Sequence, residues 1–516
     1  MLCSKCGTRN VEGARFCQNC GAPLPQYAPP SSGYWAEPAP MPGPRKPKTS
    51  RRWKKILPAA LAVLVLAGVA LFWLIRGGNY QVTPLDFMLV STDDALMLIG
   101  KDGDHKTIDR DDSSYNMCYS LDYSAALVIT GPDKSLYRYD SKTLTHIDDE
   151  VYDYQISADG TTAVYQTQID DDSYALWRYA DGEKEKVAEV LGRMSFTVSP
   201  DGETVAYQTL LDSDGEDTRS IIWDGKAEEF GKNRSILSIS DNADYIYYTK
   251  EASSALYIQR GMDENTAVKL CGIDELNSVC FNLDLSEVLL SEIDGNIYLS
   301  QHGDMPVQVA RDAHLPVLPE NVGIAVAYGM HAALKSFSNC LLTSYEKLVW
   351  LNHDLESHTV ASNLDSAHVY LKRDGKTVYY LKNGTLRKID ASDPNAAAEA
   401  VAEDVRYYWV SEDEKTVYYY QENEGIYAKE GDKQAVMVSD EVDSMTSVIQ
   451  LDSTLYYICD GELYRSTGER GMRVAAFDDV VTDIYTNGAP ILAVELGDGD
   501  AWYYSTDGEN FSRLTN

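Results

Sequence analysis

The feature that most constrains this chain is a short pattern that returns about every forty residues. Residues 154–168 read YQISADGTTAVYQTQ and residues 196–210 read FTVSPDGETVAYQTL. Apolar and polar residues alternate with a period of two on either side of an Asp-Gly step, which is the signature of strands joined by tight hairpins. Each copy runs on into a further strand such as ALWRYADGEKEKV at residues 175–187. Equivalent turns fall near Ser120, Ser157, Ser199, Ser240, Asn282, Lys372, Ser411 and Gln450, at intervals of 37, 42, 41, 42, 90, 39 and 39 residues. The interval of 90 is two periods, and weaker copies near Ser91, Tyr328 and Asn487 bring the number of units to as many as eleven. A repeat of this length holding four short strands predicts an all-β fold made of propeller blades.

The run SPDGETVAYQT with its following LWRY-type strand resembles the TolB-like and WD40-like propellers, and the resemblance covers most of residues 86–516. The Gly-His and Trp-Asp pairs of WD40 repeats are not found in each unit. Propellers commonly close at about four to eight blades, so the repeats predict either one large ring or two propellers in tandem. Residues 311–345 carry no Asp-Gly turn, which makes them the candidate seam within the repeat domain, 77–516.

Residues 56–75, ILPAALAVLVLAGVALFWLI, hold twenty residues without a charge. At ~1.5 Å per residue a helix of that length reaches ~30 Å, the thickness of a bilayer's hydrocarbon core. Arg45, Lys46, Lys48, Arg51, Arg52, Lys54 and Lys55 precede it, whereas Arg76 alone follows before a long acidic region. The expectation is therefore a single uncleaved membrane anchor, with its N-terminus in the cytosol and its C-terminal domain outside the cell. Charge divides at the same place. Residues 1–76 carry 11 Lys/Arg against 2 Asp/Glu, and the remainder 34 against 78. So acidic a domain repels nucleic acid and anionic lipid and favours solubility, cations or basic partners, with a well-solvated surface the reading preferred over a dedicated cation-binding role.

At the N-terminus, CSKCGTRNVEGARFCQNCG places Cys3, Cys6, Cys17 and Cys20 in two CxxCG knuckles ten residues apart. Four thiolates at this spacing can close a tetrahedron around Zn²⁺, and the glycines permit the tight turns at each knuckle. With every position held by protein, the zinc is structural, and its binding supplies the folding free energy that so small a segment lacks. Residues 1–24 resemble the short zinc ribbons at the N-termini of many bacterial membrane proteins. Residues 25–55 follow as a Pro-rich and then basic linker, an extended tether that cannot pack a core.

The remaining candidates for chemistry are weak. Cys118, Cys271, Cys280, Cys340 and Cys459 are scattered and odd in number, and only Cys271 and Cys280 lie close enough along the chain to suggest a pair. The acidic turns at residues 109–112, 170–172 and 212–217 lack an EF-hand's spacing and read as solvated turns. His353 and His358 are not at a helical metal-binding spacing. Tyrosine doublets at 247–248, 379–380, 407–408, 456–457 and 503–504 predict packing on both faces of a strand, with an aromatic ligand platform as the alternative. A propeller that gates a hydrolase, as in the prolyl-oligopeptidase relatives, would need a GxSxG elbow, and the chain has none. The reading is a non-catalytic protein whose external propeller binds a protein, peptide or envelope polymer and whose zinc ribbon docks a cytosolic partner. The competing expectation is a cell-envelope glycosidase or lyase that uses paired carboxylates at the propeller mouth.

Overall fold

The computed structural model describes residues 85–514 apart from short segments, of which 110–114, 211–217 and 319–323 are the longest. The zinc ribbon, the tether and the apolar stretch 56–75 lie outside the described residues. Among the described residues no helix is long and apolar enough to cross a membrane, and the helical segments are 3-10 turns of three residues.

Among the described residues the repeats form eleven sheets, nine of them antiparallel meanders in chain order and two, the sixth and seventh, modified by an inserted hairpin. Taken as blades 1 to 11 they span 87–109, 115–148, 151–191, 196–232, 234–272, 276–311, 315–362, 369–402, 405–439, 448–473 and 481–513. The first strands of successive blades meet one another, as where Gln155 Nε2 donates to the Phe196 carbonyl at 2.8 Å. Fourth strands such as Glu183–Leu191 begin with a run of exposed residues. First strands are thus innermost and fourth strands outermost. The core is a series of apolar layers between blades, as where blades 3 and 4, 4 and 5, 5 and 6, and 8 and 9 each fill one layer from two neighbouring sheets.

The ring closes by packing. Phe87, Leu96 and Ile99 of blade 1 share one core with Ile491, Trp502 and Tyr504 of blade 11 and with Val128 and Tyr139 of blade 2. Asn487 Nδ2 donates to the Phe87 carbonyl and Tyr504 Oη to the Gly103 carbonyl, at 2.9 and 2.7 Å. Blade 1 has three strands among the described residues, and a register bulge shows which three. In blades 2 to 9 a bulge separates the third strand from the fourth, at Leu136/Tyr137 and Leu176/Trp177 for example, and blade 1 carries its bulge at Leu96/Met97. Its strands are therefore the second, third and fourth of the pattern.

Blade 7 accounts for the 90-residue interval. Its first strand, Leu315–Val317, pairs with Cys340–Thr343, and the turn that elsewhere joins these positions is replaced by residues 318–339. Within them Ile324–Val326 and Met330–Ala332 make a hairpin, and the second of these strands pairs in parallel with Leu276–Phe281, the innermost strand of blade 6. Blade 6 becomes a six-stranded sheet. Nearby, Leu121 of blade 2 packs with Ala158, Leu283 and Leu318, so the inner turns of blades 2, 3 and 6 and the chain leaving blade 7's first strand meet.

Candidate functional site

The inner turns share a repeated local structure. In blades 2, 3, 4 and 9 a buried serine opens the turn, donates its hydroxyl to an aspartate two residues on, and accepts the backbone N–H five residues on. The serines are Ser120, Ser157, Ser199 and Ser411, each at most 1% exposed. In blade 6, Asn282 plays both parts, accepting from Glu287 N and donating to Asp284. A buried hydroxyl must find partners, and this turn supplies both its donor and its acceptor.

The turns also tie each blade to the next. Asp122 N donates to the Ala158 carbonyl, Asp159 N to that of Pro200, and Glu412 N to that of Asp452. From the third strand, Arg138 reaches the Gly160 carbonyl and Arg178 the Gly202 carbonyl, with a second bond from Arg178 to Glu203. This contact is the physical meaning of the recurring LWRY-type strand. It also explains Gly202. At φ +74°, a Cβ there would lie 2.3 Å from Thr162 Oγ1 of the preceding blade.

Two of the inter-blade contacts bring carboxyl groups together. Asp201 N donates to Asp241 Oδ1 at 2.9 Å, which places the two carboxyl groups in electrostatic contact. Burial, then the Asp201 charge, raises the Asp241 carboxyl above its ordinary range. Burial pushes Asp201 the same way, but the Ser199 hydroxyl and the Glu203 N–H outweigh it and hold Asp201 below its usual value. Asp452 is likewise raised by burial and by Glu412. Among the described residues, these contacts answer to the paired carboxylates that the sequence left open. The cavity at the inner strands of blades 2, 3, 4 and 6 is small, about 70 Å³, and is lined by groups such as Tyr119, Leu121, Val198 and Leu283.

The other sequence candidates fall into ordinary structural places. Cys3, Cys6, Cys17 and Cys20 lie outside the described residues. The remaining cysteines are free thiols. Cys271 faces the core between blades 5 and 6, and Cys280 the core between blades 6 and 7. Burial pushes the Cys118 and Cys280 thiols up to about 12, and Cys340 also upward, which disfavours the thiolate a nucleophile needs. Asp170 Oδ1 caps the N–H groups of Asp172 and Ser173, and among the described residues no cluster of acids, histidines or cysteines could hold a metal. His353 is exposed in a turn, while His358 Nε2 donates to the Ala391 carbonyl of blade 8 at 3.0 Å. Four of the tyrosine doublets divide between adjacent cores. Tyr247 joins the layer with Phe281, for instance, and Tyr248 the layer with Phe230. The fifth leaves Tyr407 53% exposed beside a buried Tyr408.

Sequence reasoning missed the clefts at the perimeter, because they depend on which outer strands become neighbours. One lies between blades 6 and 7, about 330 Å³, and another between blades 8 and 9, about 290 Å³.

Residues 2–24 match the zinc-ribbon domain family. The chain thus carries an N-terminal zinc ribbon, a kind of domain that binds zinc. No curated protein matches the chain. Solved structures with some likeness include an uncharacterised protein from Listeria monocytogenes EGD-e, 14% identical with a TM-score of 0.32, covering 55% of this chain and 93% of that one. A eukaryotic initiation factor is 8% identical with a TM-score of 0.38, covering 77% and 96%. A protein described as a TolB from Agrobacterium tumefaciens is 13% identical with a TM-score of 0.28, covering 40% and 83%. Likenesses at these scores carry no argument about this chain. The propeller stands on its own strand pairing, eleven sheets among the described residues with the first and last sharing a core.

Proposed function

We propose that this is a non-catalytic, single-pass membrane protein whose external propeller binds a protein, peptide or envelope polymer. Its zinc ribbon, held by Cys3, Cys6, Cys17 and Cys20, docks a cytosolic partner. The observation that carries this reading is the use made of the acidic inner turns: their carboxylates are engaged in capping backbone N–H groups and serine hydroxyls. What the ring offers instead is a rigid perimeter with clefts between blades, which suits recognition. Crosslinking in intact cells, followed by separate identification of external and cytosolic partners, tests it. Specific partners on the outer face are expected, and their absence overturns the binding role. The ribbon has its own test. The full chain should carry one zinc, lost when Cys17 and Cys20 become serine, and unchanged metal content refutes the ligand assignment.

A second reading, a glycosidase or lyase, draws on the Asp201–Asp241 pair. Those carboxyls stand on neighbouring inner turns joined by the Asp201 N–H to Asp241 Oδ1 bond, and burial with the Asp201 charge raises Asp241, the direction a general acid needs. Cleavage of a cell-wall glycan by the purified protein, abolished by Asp241→Asn, would favour the enzyme.

A further inference from the structure

The cleft between blades 6 and 7 differs in charge from the rest of the molecule. The whole chain has a net charge of −35, yet the lining of this cleft includes Arg311 and Lys347 and no carboxylate. Its floor is apolar, with Val309 from blade 6 and Val349 from blade 7. Ser357 and Thr359 line the blade 7 wall. By contrast, the cleft between blades 8 and 9 sets Lys372, Lys388, Lys415 and Lys429 against an equal number of acids, with Lys372 bridged to Glu414 at 3.4 Å.

The cationic groups are also held in place. Arg311 Nε donates to Asn296 Oδ1 at 2.7 Å, which orients the guanidinium and leaves its two terminal nitrogens without a partner among the described residues. Lys347 Nζ donates to the Arg311 carbonyl at 3.3 Å and pairs with Asp312 at 3.2 Å, an aspartate whose side chain is 68% exposed. The ammonium is thereby held at the Arg311 backbone, in the same cleft as the guanidinium. A fixed guanidinium fork, a nearby ammonium and two hydroxyls over an apolar floor match an oxyanion on a small carbon skeleton. The fork takes two oxygens side by side, and the valines accept the C–H face of a sugar or polyol.

We infer that the blade 6–7 cleft binds a phosphate- or carboxylate-bearing sugar or polyol unit, with Arg311 as its principal anchor and Lys347 as the second charge. This deepens the binding role proposed above and names the ligand chemistry for one of its surfaces. Recognition by an otherwise acidic surface has a consequence. The surrounding charge repels polyanions at long range, so binding depends on a fitted contact and not on general attraction.

The test is calorimetry on the full-length protein in nonionic detergent, with glycerol 3-phosphate and glucuronate as probes and glycerol as the neutral control. At least one anionic probe should bind and glycerol should not, and the stronger probe distinguishes phosphate from carboxylate. Arg311→Gln should weaken binding about tenfold or more, and Arg311→Lys should recover only part, because an ammonium lacks the fork. Lys347→Gln should weaken it less, and Lys388→Gln in the other cleft should leave it unchanged. Arg311 is exposed, so its variants should keep the wild-type unfolding midpoint, which confirms that the loss is local. No binding of either anion at about 10 mM, or equal affinity in wild type and Arg311→Gln, overturns the inference. Retention of the crosslinked external partners by Arg311→Gln would then separate failure of this cleft from failure of the binding role.

Discussion

Blades 2 to 5 and blades 6 to 7 use the same strand order but hold themselves together differently. In the first group each inner turn is a short Ser-x-Asp or related loop, and neighbours are joined by one or two hydrogen bonds from turn to turn. In the second group blade 7 opens that turn into residues 318–339 and sends a hairpin back to the inner edge of blade 6. The contact is secured by a buried carboxylate. Glu287, 5% exposed, accepts from Gln301 Nε2, Ser336 Oγ and Phe337 N at 2.7–3.1 Å. Leu283 N and Asn282 Nδ2 add bonds to the Leu334 and Lys335 carbonyls. The regular blades are thus coupled through many small repeated contacts, and the irregular pair through one concentrated polar node.

The largest effect should come from that node. Glu287→Ala leaves the Phe337 N–H and the Gln301 amide without their shared acceptor in a buried site, at a cost of about 3 kcal/mol. Guanidinium unfolding should show the loss, and limited proteolysis should gain a cut within residues 318–339. If stability falls by under about 1 kcal/mol and no new cut is made, the node is not what fastens the hairpin.

Within the regular blades, two glycines separate strain from contact. Gly202 and Gly182 both have positive φ, +74° and +81°, but a Cβ on Gly182 meets nothing within 4 Å. Gly182→Ala should cost about 1 kcal/mol from backbone strain alone, and Gly202→Ala about 2–3 kcal/mol because it also presses on Thr162. Equal costs would show that the blades have room to move apart. Arg178→Ala should cost about 1 kcal/mol, since it removes the bond to the Gly202 carbonyl while Glu203 is largely exposed and contributes little.

The same contrast explains what could be read from the chain. The Asp-Gly and Ser-x-Asp turns, the third-strand arginines and the tyrosine doublets are local signals. Their roles follow from chain neighbours or from the next repeat forty residues away, so the regular blades were legible. Blade 7 was not, because its inner hairpin was replaced by residues whose partner strand, Leu276–Phe281, lies in the previous repeat. Blade 1 was equally obscure. Its TDDA turn, residues 92–95, resembles an inner turn in composition, and only the bulge at Leu96/Met97 shows that it joins second and third strands. The candidate cleft depends on Arg311 and Lys347 meeting across a blade boundary, a relation with no sequence spacing to reveal it.

The smallest expected effect concerns the acidic contact between blades 4 and 5, and it has a definite sign. Because Asp241 is raised in the folded protein by burial and by Asp201, the folded state binds its proton more tightly than the unfolded chain does. That contribution to stability is present below the unfolded carboxyl value of about 4 and is lost as pH rises through the folded value. Asp201 acts in the opposite sense, with stability present above about 4 and lost as pH falls through its lowered folded value. Asp241→Asn keeps an oxygen to accept the Asp201 N–H and removes the like charge. It should therefore gain stability relative to wild type as pH rises from about 4 to 7, by about 0.5 kcal/mol, a figure kept small because the pair is partly exposed. Unfolding midpoints at the two pH values measure this directly. A gap between variant and wild type that does not widen with pH would mean that the two carboxylates are not in electrostatic contact. The turn-to-turn link there would then rest on the Asp201 N–H alone, as the links from Asp122 and Asp159 rest on theirs.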